Sequence, residues 1–212
     1  MNYPVALHLQ GKTCVVVGGG RVAARKIAGL LQAAATVVVI SPSLDQALTG
    51  PLNRGEILWL PVCWQPGCLQ RFRPVLVFAA TDERSTNAAI AAEARSLGAL
   101  VNVVDAGASG DFSNMATLRR PPLLVTLDSA GAAPALARWL RDRIAGCIRE
   151  EHATLARWLG ELRPQIREEI PEPESRRAFY RRVLDSEVLT LLGTDQDDEA
   201  RSLLHNLMRK SE

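Results

Sequence analysis

No stretch of the sequence holds the roughly 18–20 consecutive apolar residues that a membrane helix needs, so a spanning segment is not expected. The opening residues, MNYPVALHLQGK, lack the basic region and long apolar core of a secretory signal, which makes a cytoplasmic location the expectation. Aromatic residues make up only 5%, too few for a base-stacking surface. The 25 basic residues against 23 acidic ones leave a net charge of +2, too small to imply a nucleic-acid partner. Histidine is scarce and scattered, at His8, His152 and His205. Of the four cysteines, Cys14, Cys63, Cys68 and Cys147, only Cys63 and Cys68 are close, and they have neither a second pair nor histidine partners. That spacing disfavours a resident zinc site, and a cytosolic setting disfavours a disulfide. A metal, if one is handled, is handled transiently, by a carboxylate or by the substrate itself.

What the sequence does have is concentrated in residues 12–26, KTCVVVGGGRVAARK. An apolar run, Cys14 to Val17, has strand composition and stops at Gly18, Gly19 and Gly20; a helix-compatible stretch, Val22 to Gln32, follows at once. Strand, tight turn and helix are the order a dinucleotide-binding site requires. Gly18 suits a backbone conformation closed to residues with a Cβ, Gly20 lets the chain come close to a pyrophosphate, and Ala23 permits close helix–strand packing. The free N–H groups and positive end of the helix then face the phosphates. The bland alternative is a turn that merely packs a helix on a sheet. One expectation goes unmet: the second strand, Thr36 to Ile40, is followed by Ser41-Pro42-Ser43 rather than by an acid that would hold a ribose hydroxyl. Serine hydroxyls or backbone must serve, and NAD is not distinguished from NADP. Arg21, with Arg25 or Lys26, either favours an extra phosphate or is simply solvated.

The chain is 212 residues long, room for one large or two small domains, with 47% hydrophobic and 23% charged residues as in globular proteins. Short, apolar, mostly β-branched strands are predicted at 13–18, 36–40, 57–61, 75–79 and 100–104, with helices at 21–33 and 83–97. This alternation reads as a doubly wound parallel sheet, whose ligands bind beyond the carboxyl ends of the strands. After the fourth strand, Thr81 can bond a cofactor and Asp82 can cap the next helix, the plainer and preferred role for the aspartate. After the fifth comes Asp105, with Gly107 behind it. A carboxylate there suits a general base facing the cofactor cleft; the other reading is an ordinary turn aspartate.

Beyond Ala108 the pattern changes. Residues 112–118 and 123–128 read as strands around the turn Arg119-Arg120-Pro121-Pro122, and a helix is predicted from about Pro134 to Arg149. Ser129 and the small residues after it open a loop at that helix start, a second potential anion site. Between Arg119 and Arg149 there are six arginines, with only Asp128 and Asp142 opposing them. Arginine forks match carboxylates, so the segment suggests a polycarboxylate substrate; a solvated helix face explains it equally well. The last third reads as helical, with an amphipathic stripe at Leu155, Trp158, Leu159 and Leu162 and helices at 174–192 and 195–209, Asp195 being the predicted N-cap. It carries no chemical motif and serves as a cap or an oligomer contact.

In their order, the segments YPVALHLQGKTCVVVGGGRVAARKIAGLLQAAATVVVISPSL, FAATDE, NVVDAG and FSNMATLRRPPLLVTLDSAGAAPALARWLRDRI resemble the precorrin-2 dehydrogenase/sirohydrochlorin ferrochelatase family, also the N-terminal module of sirohaem synthase. The tail segments HATLARWLGELRPQIREE and RRAFYRRVL are similar too, so the likeness covers nearly the whole chain. No methyltransferase domain follows, which reads as a stand-alone form. The resemblance implies a Rossmann-like α/β domain over 1–112, a small α+β dimerisation and substrate segment over 113–148, and a helical domain over 149–212. It implies oxidation of precorrin-2 to sirohydrochlorin with NAD, and in many members insertion of ferrous iron to give sirohaem. It maps the catalytic carboxylate onto Asp105 and cofactor contacts onto Gly18, Gly19, Gly20, Arg21, Val22, Pro42 and Ser43, beside the Thr81 suggested above. A family serine that is phosphorylated in some members maps onto Ser129. Homodimers that exchange the segment after Asp105 are implied as well. Eight carboxylates on precorrin-2 give the arginines a purpose, with Arg119, Arg120, Arg138 and Arg141 as candidates. Two departures, Ala130-Gly131 for Gly-Gly and Met115 for a proline, fall in substrate-side loops. Two other readings stay open: a dehydrogenase served by a separate chelatase, and a non-catalytic NAD-sensing module.

Overall fold

The computed structural model describes residues 2–104 and 109–209. It forms two compact units that divide between Asn114 and Met115.

In the first unit β1 (Thr13–Val17), β2 (Thr36–Ile40), β3 (Ile57–Leu60), β4 (Leu76–Ala79) and β5 (Leu100–Val103) make one parallel sheet in the order β3-β2-β1-β4-β5. β1 lies between β2 and β4, pairing Val15 with Val38 on one side and Val77 on the other. The pleat explains why these strands are apolar at every position. Val15 and Val17 join Val77, Val101 and the buried face of α3 (Arg84–Ser96), while Cys14 and Val16 join Val37, Val39 and the buried face of α1 (Arg21–Gln32). A strand covered on both faces has no polar side to show. Ala23, Ile27 and Leu30 of α1 are buried at helical spacing, so that helix lies along the sheet with its N-terminus at the carboxyl edge. The expected strands and helices of this unit therefore stand within one residue of their predicted bounds. A short helix, α2 (Thr49–Asn53), links β2 to β3.

The second unit opens with an antiparallel hairpin, β6 (Ala116–Arg120) and β7 (Leu123–Leu127), against which α4 (Pro134–Ala145) packs. Then come α5 (Glu150–Glu161), α6 (Arg163–Glu169), α7 (Pro173–Asp185), α8 (Val188–Leu192) and α9 (Asp197–Arg209). Their core is a stripe from each helix, with Trp158, Ile166, Phe179, Val183, Val188 and Leu204 buried together.

Several expectations need correction here. Residues 112–115 are outside the ladder, and Arg119 and Arg120 belong to β6 rather than to the turn, which is Pro121-Pro122. The helix expected to reach Arg149 stops at Ala145, where Gly146 follows and the Cys147 N–H turns back to the Ile144 carbonyl. The helix predicted over 174–192 is two helices. Ser186 breaks it, its hydroxyl donating to the Val183 carbonyl and accepting from the Val188 N–H, a local alternative to helical bonding. Asp195 is not a cap for the last helix. It takes a left-handed conformation, φ 58°, with its N–H on the Leu192 carbonyl, as short polar residues do where a helix ends.

Candidate functional site

Three strand-end loops meet at the carboxyl edge where the chain order reverses between β1 and β4, the place ligands take in such sheets. The glycines set how closely they meet. Gly18 has φ +114°, and a Cβ built on it would lie 2.2 Å from the Ala80 carbonyl oxygen. A Cβ on Gly19 would lie 2.0 Å from the Ser43 oxygen and 2.8 Å from Ser41 Oγ. Neither site admits a side chain, because neighbouring backbone fills the space. At Gly20 a Cβ would meet nothing within 4 Å. Gly20 is the N-cap of α1; among the described residues no side chain caps that end, and its first turn holds no acidic residue. The result is an open helix N-terminus with unsatisfied N–H groups and positive potential, a cradle that fits a pyrophosphate.

Hydrogen bonds fasten the surrounding loops. The Gly18 N–H donates to the Ile40 carbonyl at 2.9 Å, and the Asp45 N–H to the Gly19 carbonyl at 2.7 Å. Pro42 and Ser43 are exposed, whereas Ser41 is buried and its carbonyl accepts the Trp59 indole N–H at 2.9 Å. Arg21 and Val22, at the start of α1, line a groove of about 880 Å³ together with Arg25, Asp45, Leu48 and Pro51. After β4, Thr81 is bound from within. Its N–H and its hydroxyl both point to Asn87 Oδ1, at 3.0 and 2.8 Å, and Asn87 Nδ2 returns a bond to the Thr81 carbonyl at 2.9 Å. Asn87 is 4% exposed and heads the stripe Asn87, Ile90, Ala91, Ala94 of α3. The preferred capping role of Asp82 is not met: Glu83 is the N-cap residue of α3, and Asn87 ties down the loop from inside the helix. Asn87 escaped the sequence reading. A lone polar residue opening an i, i+3, i+4, i+7 apolar stripe was the signal for it.

Asp105 and the rest of 105–108 lie outside the described residues. The residues before and after them are anchored. The Val104 N–H bonds the Ala79 carbonyl, and Asp111 accepts from the Val101 N–H and pairs with Arg95. Asn102, 8% exposed, donates to the Phe112 carbonyl, and Phe112 meets Phe78 edge-on. Lys26 sits 5.8 Å over the same Phe78 ring and donates to Asn114 Oδ1 at 2.8 Å. Burial, and then the nearby Arg25, hold its ammonium pKa below the usual lysine value.

The residues expected to meet a polycarboxylate all belong to the second unit. Arg119 and Arg120 are neighbours on β6, so they project to opposite faces of the hairpin. Arg138 and Arg141 are three apart on α4 and share a face; Arg141 pairs with Asp142 at 2.6 Å. The Ser129 hydroxyl accepts the Ala133 N–H at 3.1 Å at the start of α4, with Ala130 and Gly131 both at positive φ in between. Among the described residues no cluster of three or more His, Cys, Asp or Glu is placed to hold a metal, and no helix is long and apolar enough to cross a membrane.

Residues 5–116 match the family model described as "Putative NAD(P)-binding". The chain belongs to this family. Residues 152–208 match a second model, the sirohaem synthase dimerisation region. Together they bear out the recognition of the sirohaem synthase module, and the dimerisation model falls within the part expected to be the helical domain. Similar relatives include the siroheme synthase of Methylococcus capsulatus, 42% identical over 202 residues, covering 94% of this chain and 42% of that protein. The siroheme synthase of Chromobacterium violaceum is 36% identical over 200 residues, again 94% of this chain and 42% of the relative. The chain thus spans less than half the length of these curated relatives. Among solved structures, SirC, a precorrin-2 dehydrogenase, superposes with a TM-score of 0.75 at 20% identity, over 97% of this chain and all of the other, which shows a shared fold.

Proposed function

We propose that this chain oxidises precorrin-2 to sirohydrochlorin with NAD as acceptor, in the cytoplasm, and inserts ferrous iron as a second substrate to give sirohaem. The carrying observation is the open N-terminus of α1 behind Gly20, at the sheet's reversal point, in a chain of the NAD(P)-binding family that also matches the sirohaem synthase dimerisation region. The names of its relatives and of its structural neighbour support the substrate.

In this reading Gly18, Gly19 and Gly20 let the loops close around the dinucleotide, the N–H groups of Arg21 and Val22 face its phosphates, and Pro42 and Ser43 border its ribose. Thr81, held by Asn87, closes the β4 side. NAD, when bound, supplies the hydride acceptor. Oxidation also releases a proton, and Asp105 is the base that takes it. The same carboxylate receives a pyrrolic proton as iron enters. Arg138, Arg141, Ser129 and one of the oppositely facing pair Arg119 and Arg120 receive the substrate's carboxylates. We assign residues 1–112 to the cofactor domain, 113–148 to a dimerisation and substrate segment, and 149–212 to the helical domain, whose residues 152–208 match the dimerisation region and share in the dimer.

A homodimer is part of the proposal. Leu124 of β7 and Leu136, Trp139 and Leu140 of α4 are 37–54% exposed, an apolar surface suited to a partner copy. The test is anaerobic turnover of precorrin-2 by the intact chain and by Asp105→Ala, followed by addition of ferrous iron. The intact chain is expected to make sirohydrochlorin and then sirohaem faster than the uncatalysed rate, and the variant to lose both steps while still binding NAD. Full dehydrogenase activity in the variant removes Asp105 from the mechanism. Absence of the iron step alone leaves a dehydrogenase served by a separate chelatase.

A further inference from the structure

The acid that usually ends the second strand of a dinucleotide-binding sheet, and holds the adenosine ribose hydroxyls, is missing after Ile40. Serine does not simply replace it. Ser41 is 6% exposed, and its hydroxyl is packed behind the loop, 2.8 Å from where a Cβ on Gly19 would stand. The chain, however, returns to the glycine loop four residues later. The Asp45 N–H donates to the Gly19 carbonyl at 2.7 Å, which fixes the residue beside the phosphate cradle. Its Oδ1 accepts the Ala47 N–H at 2.9 Å, an Asx turn that orients the carboxylate and leaves its second oxygen for a ligand. Among the described residues no ion pair engages it.

The charges around Asp45 give it a further role. It lines the same groove as Arg21 and Arg25, whose guanidinium groups would by themselves favour a phosphate. At the other end of that groove Arg54 and Glu56 cancel each other in a two-bond ion pair at 2.8 and 2.9 Å. Among the described residues near the glycine loop, Asp45 alone supplies negative charge to the groove.

We infer that Asp45 takes the place of the missing strand-end acid: its carboxylate accepts hydrogen bonds from the adenosine ribose hydroxyls and repels a 2′-phosphate, setting the preference for NAD over NADP. This rests on the reading of the site as a nicotinamide dinucleotide site. Negative charge in front of a phosphate discriminates by repulsion, and the two arginines mean that its removal favours the phosphorylated cofactor.

Calorimetric titration of the intact chain with NAD and with NADP tests the inference without any tetrapyrrole. Asp45→Asn keeps an acceptor for the Ala47 N–H and removes the charge; Asp45→Ser is a second uncharged variant that still forms the turn, though more weakly. Glu56→Gln is the control, since it removes an acid from the far end of the groove, before β3. The intact chain is expected to bind NAD more tightly than NADP. Both Asp45 variants should lower that ratio by about tenfold or more, and Glu56→Gln should leave it within about twofold. An unchanged ratio in both Asp45 variants, an equal shift in Glu56→Gln, or tighter NADP binding by the intact chain overturns the role of Asp45 while leaving the dinucleotide site standing. Binding of neither dinucleotide overturns the site itself and this inference with it.

Discussion

The three consecutive glycines do different work, and single substitutions separate their roles. An alanine at Gly18 would have to hold φ +114° with its Cβ 2.2 Å from the Ala80 oxygen. Gly18→Ala is therefore expected to lose about 2–4 kcal/mol of stability, read by urea unfolding. Gly20→Ala has open space in front of it and should unfold near the wild-type midpoint while binding dinucleotide more weakly. A Gly18→Ala protein as stable as the parent would contradict the close approach of the loops. Cysteine chemistry gives a second check at this scale. Burial pushes the Cys14 thiol up to about 11, and the thiolate is the reactive form. The folded protein at pH 8 should thus leave Cys14 unmodified by iodoacetamide while the exposed Cys63 and Cys147 react, as peptide mass spectrometry would show. Rapid native-state labelling of Cys14 would mean that β1 is not the sealed centre of the sheet.

Among the elements, the connection from β4 into α3 depends most on one side chain. Asn87 satisfies the Thr81 N–H, hydroxyl and carbonyl from a position 4% exposed. Asn87→Ala strands the Thr81 N–H and carbonyl, while the hydroxyl keeps the Glu83 carbonyl at 3.2 Å, and is expected to cost about 1–3 kcal/mol. Faster amide exchange at Thr81 than at the centre of α3 would accompany the loss; exchange unchanged at Thr81 would show that the loop is held otherwise. The same element shows what sequence can and cannot reveal. The five strands and two large helices of the first unit were legible because strands buried on both faces are continuous β-branched runs, and because β1 stops at three glycines and β2 at Ser41-Pro42. Helix ends were less legible. Which of Asp82 and Glu83 stands at a cap, whether Ser186 bonds back to its own turn, and whether Asp195 begins a helix or ends one all depend on packing that local chemistry does not fix. At the site, the glycine cradle could be read from spacing. Asp45 could not, because its role comes from a loop folding back on Gly19, and Asn87 showed only as a polar residue at the head of an apolar stripe, with nothing local to name Thr81 as its partner.

At the scale of the whole molecule, the second unit leaves Leu136 and Trp139 of α4 more than half exposed. Leu136→Glu with Trp139→Glu is expected to turn a dimer into a monomer in light scattering, with α-helical content retained; a wild-type chain that is monomeric at micromolar concentration would contradict the proposed partner copy. The central claim is that one chain binds dinucleotide at the glycine loop and removes a hydride and a proton from precorrin-2. The most direct measurement is an anaerobic single-turnover reaction of excess enzyme and NAD with precorrin-2, followed at the NADH and sirohydrochlorin absorption bands together. The two products are expected to appear at one rate and in equimolar amounts. Dinucleotide binding with neither band rising would contradict the claim, and would leave the chain as a module that senses the dinucleotide rather than uses it.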